Sequence, residues 1–115
     1  MGDEVVEALR ELSAGMRRNA QRIEEVLTRA ERMCREREAG KPWRDIVREE
    51  DRPLIVEIIG QNLDELYASG GRLRRAQAKA LHEEGLTMEQ IARLFGVTRQ
   101  RVSALLRAAD DRPAD

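Results

Sequence analysis

Apolar side chains in the first third of the chain recur in alternating steps of four and three, at Val5, Leu9, Leu12, Met16, Ile23, Val26, Ala30 and Met33. Asn19 fills the one polar position of that series. The pattern is a heptad sustained for about four repeats without a proline, and it predicts one long, coiled-coil-like helix from Asp3 to about Glu38. At about 1.5 Å per residue such a helix is about 54 Å long, more than a small domain covers by itself, so the seam calls for a partner. Leu9, Leu12, Met16, Asn19, Ile23 and Val26 are the candidate oligomerisation residues. Asn19 either pairs with its counterpart and fixes register or opens the seam to water. Val6, Ala20, Leu27 and Cys34 widen the stripe on one flank, which suggests a bundle that includes residues 53–67. Gly15 marks close helix packing or a weak point.

Ala39-Gly40-Lys41-Pro42 reads as the end of that helix. Trp43, Ile46 and Val47 then make a short apolar face of one or two turns, with Trp43 expected as an anchor between helices rather than a stacking platform. Asp51 is placed to cap the next helix with Pro53 in its first turn. Leu54, Ile55, Ile58, Ile59, Leu63 and Leu66 carry that helix to about residue 68, and Ser69-Gly70-Gly71 reads as its end and as a hinge. The resulting division is a long helix over 1–38, a central helical segment over 39–69, a C-terminal module over 70–109 and a flexible tail over 110–115.

Within the module, Leu73, Ala76, Ala80 and Leu81 predict a first helix that ends at Gly85. Ile91, Leu94 and Phe95 predict a second, and Val102, Leu105 and Leu106 a third. Thr87 with Gln90 forms a capping-box pattern before the second helix, and Thr98 can cap the third. Gly96 stands where the chain must turn sharply between them, and Ala92 is small enough for close approach. The third helix then exposes Arg99, Gln100, Ser103 and Arg107 away from its apolar stripe. Side chains of these types donate to phosphates and to base edges in a major groove.

The residues Ile91-Ala92, Gly96-Val97 and Val102 resemble the helix-turn-helix of bacterial DNA-binding proteins. The run FGVTRQRVSALL is similar to the promoter −35-binding helix-turn-helix of primary sigma factors, region 4, and similar motifs occur at the C-termini of serine recombinases. The resemblance covers about a quarter of the chain, or about a third if residues 72–84 form the preceding helix. It implies that Thr98, Arg99, Gln100 and Arg101 lie at DNA, with Arg101 on phosphate or an acidic neighbour. No other sigma region is recognised, so polymerase binding by that family's route is not implied.

Composition and charge sharpen this picture. Only Trp43, Tyr67 and Phe95 are aromatic and 37% of residues are charged, so the core is built from Leu, Ile, Val and Ala in an all-α fold. The formal net charge of −1 conceals a polarity: residues 69–109 carry eight bases against three acids, while residues 1–68 carry twelve bases against sixteen acids. Arg72, Arg74 and Arg75 are candidate phosphate contacts, or else a solvated face with local ion pairs. A surplus of +5 on one module binds DNA weakly and with steep salt dependence, so two copies are expected at a site. The single cysteine, Cys34, excludes an internal disulfide or a multi-cysteine zinc site, and the lone His82 is a surface residue rather than a ligand or base. No cofactor is expected. No run is apolar enough to span a bilayer and the first twelve residues carry acids rather than bases, so a cytoplasmic location is expected.

Three functional classes follow. The leading one is a sequence-specific DNA-binding transcriptional regulator, dimeric or higher, acting on double-stranded DNA. The second is an interaction protein whose long helix binds a sigma factor, polymerase or another partner from the transcription machinery. The third, a recombinase or transposase fragment, lacks room in residues 1–68 for a catalytic domain, so an enzyme is not expected.

Overall fold

The computed structural model describes residues 3–110, which form five helices and no strand: α1 (Glu4–Glu38), α2 (Trp43–Arg48), α3 (Ile55–Glu83), α4 (Met88–Phe95) and α5 (Arg99–Asp110). The all-α expectation holds, with a long N-terminal helix and a C-terminal helical module. Of the expected tail, Asp110 closes α5 and residues 111–115 lie outside the described residues. Residues 3–13 with 68–110 make one compact unit, and Ala14–Tyr67 makes another.

α1 begins at Asp3, whose Oδ1 accepts from the backbone N–H groups of Val5 and Val6 at 2.8 and 3.3 Å. It runs to Glu38, and Gly40 ends it as expected. The covered positions on this helix are Val5, Ala8, Leu12, Gly15, Asn19, Arg22, Val26, Arg29 and Met33, again in steps of three and four. Val5, Leu12, Asn19, Val26 and Met33 coincide with the expected heptad, while Ala8, Gly15, Arg22 and Arg29 take the alternate places expected of Leu9, Met16 and Ile23. Leu12, Asn19 and Val26 are half-buried, whereas Leu9, Met16 and Ile23 are exposed, together with Val6, Ala20, Leu27 and Cys34.

In the unit 14–67, Arg18 Nε donates to Glu65 Oε1 at 2.8 Å, and Arg22 donates to the other carboxylate oxygen and, at 3.3 Å, to Asn62 Oδ1. Arg29, buried, donates to the carbonyl oxygens of Asp51 and Pro53 at 3.1 and 2.6 Å and to Glu25 at 2.7 Å. As α1 advances its partners fall from residue 65 to residue 51, so α1 and α3 are antiparallel within this unit. Both arginines of the Glu65 pair hold its carboxyl below the usual carboxylate range, Arg22 most and Arg18 next, through their hydrogen bonds.

Three expectations about the middle of the chain are corrected. α3 does not end at Ser69-Gly70-Gly71 but continues to Glu83. Its covered positions Ile55, Ile58, Asn62, Leu66, Ser69, Leu73, Ala76 and Ala80 stay in helical phase across the glycines, and packing of that stripe outweighs a cost of about 1 kcal/mol per glycine. The helix starts after Pro53, not before it, and Glu50 rather than Asp51 receives its first N–H: Glu50 Oε1 accepts from Ile55 N at 2.7 Å. Trp43 is not shut between helices. About half of it is open (49%), with the Arg37 guanidinium 5.6 Å from its ring centroid, and Ile46 supplies the buried side chain of α2 instead.

Candidate nucleic-acid interface

The C-terminal unit is assembled around Ala78 of α3, Ile91 and Ala92 of α4, and Val102 and Leu105 of α5, all buried, with Leu81, Leu86, Met88, Phe95 and Leu106 packed against them. Three helices therefore share one small core, and their termini are closed by the side chains that the local sequence provides. Thr87 Oγ1 accepts from Gln90 N at 3.1 Å while Gln90 Oε1 accepts from Thr87 N at 2.8 Å, a complete capping box. Thr98 Oγ1 accepts from Arg101 N at 3.1 Å. Gly96 adopts φ 67° and ψ 34°, the left-handed conformation that lets α4 end and α5 begin within three residues. Both threonine caps and the glycine turn match the expectation.

These constraints fix which side of α5 faces outward. Val102 and Leu105 point into the core, so the opposite side presents Gln100, Ser103, Ala104 and Arg107, with Arg99 and Arg101 on its two flanks. Arg99, Gln100, Arg101 and Arg107 are exposed, and Ser103 is half-buried with its Oγ accepting from Arg107 Nη1 at 3.0 Å. Ala104 was not among the sequence candidates. It stands four residues from Gln100 and three from Arg107, a spacing that would have found it, and a methyl group in that place can meet a thymine methyl.

The structure treats the three arginines opening the module's first helix unequally. Arg72 forms an ion pair with Glu11, the Arg74 guanidinium lies 4.1 Å from the Phe95 ring centroid, and the Arg75 guanidinium lies close over Gly71. Lys79 lies 3.4 Å from Glu4. The first turns of α1 belong to the same compact unit and bring Asp3, Glu4, Glu7 and Glu11 against the single base Arg10, offsetting part of the surplus read from residues 69–109. The bases left without acidic partners among the described residues include Arg74 and Arg75 of α3 as well as Arg93, Arg99 and Arg101, so the positive surface spans α3, α4 and α5.

The decisive comparison is with protein families. Residues 70–115 match the family model of a homeodomain-like domain. The C-terminal part of the chain is thus similar to a helix-turn-helix-type domain, which supports DNA binding. No curated protein and no solved structure gave a match. No helix among the described residues is long and apolar enough to cross a membrane.

Proposed function

We propose that the protein is a sequence-specific transcriptional regulator that lays α5 in the major groove of double-stranded DNA and acts as a dimer. The observation that carries this reading is the outward face of α5: polar and small side chains at Gln100, Ser103, Ala104 and Arg107, held opposite a core that fixes their direction. Arg99 and Gln100 then read guanine and adenine edges, Ser103 and Arg107 act further along the groove, and Arg101 lies toward phosphate. The backbone at the Thr87 and Thr98 caps faces the sugar-phosphate chain, where helix N-termini favour anions. Arg74 and Arg75 supply phosphate contacts, and Arg72 does so in competition with Glu11. The resemblance of FGVTRQRVSALL to sigma-factor region 4 supports the same four positions, 98–101, and a bacterial setting.

Selection from random duplex DNA at two salt concentrations tests this. A defined motif that survives the higher salt is expected, and Arg99→Ala and Gln100→Ala should each lose about 1–3 kcal/mol of preference for it. Equal weakening on all sequences would reassign both residues to phosphate, and recovery of no motif would overturn the reading. A second reading, in which α1 receives a protein of the transcription machinery, is supported by the exposed apolar side chains Leu9, Met16, Ile23 and Leu27.

A further inference from the structure

Each helix of the 14–67 unit carries an apolar stripe that its neighbour leaves uncovered. On α1 it includes Met16, Ile23 and Leu27, with Ala20 between them; on α3 it includes Ile59, Leu63 and Tyr67, the last two 63% and 85% exposed. At about 100° per residue, each stripe lies roughly a quarter-turn from the covered positions of its own helix, and in the same rotational sense seen from that helix's N-terminus. In an antiparallel pair, equal rotation in the same sense brings both stripes to one side. The opposite flank carries the Arg18, Arg22 and Glu65 network. The hairpin is therefore polar on one broad face and apolar on the other.

We propose that this apolar face is the seat of a second copy of the chain, docked hairpin on hairpin with α1 antiparallel to the partner's α1. The charges beside the stripe select that occupant and that direction. Arg17 and Glu24 flank it seven residues apart, both exposed and neither paired among the described residues. An antiparallel register that stacks Met16 on the partner's Leu27, and Ala20 on the partner's Ile23, sets Arg17 beside the partner's Glu24 and, by two-fold symmetry, Glu24 beside the partner's Arg17. A two-fold axis parallel to the helices would instead set α1 opposite the partner's α3 and leave Arg17 and Glu24 without each other. The alternation of small and large side chains in those layers lets them interdigitate. The closed product is a four-helix bundle, the standard way for a two-helix hairpin with one bare face to cover it. This rests on the dimeric reading above and specifies its surface.

The test is sedimentation of the full-length protein over a concentration series, with helicity measured in parallel. The wild type should dimerise. Arg17→Glu and Glu24→Arg should each weaken the dimer about tenfold by replacing two attractions with two repulsions, while the double variant, or an equimolar mixture of the two singles, should return to within about twofold of wild type. Leu63→Lys, at an exposed position that the fold does not need, should abolish dimerisation at concentrations where the wild type is fully paired. A dimer indifferent to the charge swap or to Leu63→Lys overturns the proposed face while leaving the dimeric reading intact. A wild type that stays monomeric, binding only some other protein, overturns both. DNA selection on the same samples reports the α5 reading independently.

Discussion

In the unit that holds α4 and α5, helices of eight and twelve residues bury Ile91, Ala92, Val102 and Leu105 around Ala78, and each helix start is closed by a threonine hydroxyl. In the unit 14–67, far longer stretches of helix bury only Ile46 and Ile58 among the large apolar side chains, leaving Ile23, Leu27, Ile59 and Leu63 in solvent. The short helices use most of their apolar surface inside the module, Leu94 of α4 being the exception at 65% exposed, and the outward side of α5 is polar and directional. The long helices are held by ion pairs and by Arg29 on backbone carbonyls, interactions that set geometry more than they remove apolar surface from water. A region that spends its apolar surface internally is suited to presenting a reading face, and one that retains it is suited to meeting another molecule.

The sharpest way to break this contrast is a matched pair of truncations. Ile91→Ala removes a fully enclosed side chain and should cost about 2–5 kcal/mol in urea unfolding followed by circular dichroism. Ile59→Ala, measured below the concentration of self-association, should stay within about 0.5 kcal/mol of wild type. An equal cost at both sites would show that the outer face of the hairpin is covered even in the single chain. Next in size are the caps: Thr98→Ala should destabilise by about 1 kcal/mol and raise amide exchange at Arg101, whose N–H loses its acceptor. The smallest effect belongs to Glu65. Its folded carboxyl is held below the ordinary range by Arg22 and Arg18, so its contribution is fully present above that range and fades as pH falls through the lowered value. The stability gap between wild type and Glu65→Gln should therefore narrow from pH 7 toward pH 3, and a gap independent of pH would remove the ion pairs as its cause.

The difference between the regions also governed what could be read from the residues alone. The caps and turn of α4 and α5 were legible, because their determinants are local: a threonine three residues before Gln90, a glycine between two apolar stripes, a threonine before an arginine-rich turn. Leu94, expected on the apolar face, is instead exposed. The hairpin was legible in its helices but not in its faces. The heptad series mixed Leu9, Met16 and Ile23, which are open, with Leu12, Asn19 and Val26, which are covered. The covered stripe passes through Gly15, Arg22 and Arg29, residue types that periodicity alone does not mark as inward, and only the acceptors contributed by residues 51–65 make them so. Ser69-Gly70-Gly71 misled for the same reason: a local stop signal was outweighed by a stripe whose phase continues on both sides of it. At the candidate interface, Ser103 and Arg107 were placed correctly on one face, but their bond to each other and the Glu11 partner of Arg72 depend on geometry that spacing does not encode.

The turn at Gly96 carries a consequence of handedness. A side chain added there would meet no atom within 4 Å, so crowding is not what keeps the position bare. The obstacle is the sign of one torsion angle, and the mirror-image amino acid does not share it. D-alanine, introduced at 96 by chemical ligation, would find φ near +67° its own preferred territory and would stiffen the unfolded chain, its methyl replacing the other of the two glycine hydrogens. The junction between α4 and α5 would then be firmer than evolution, restricted to one chirality, was able to make it.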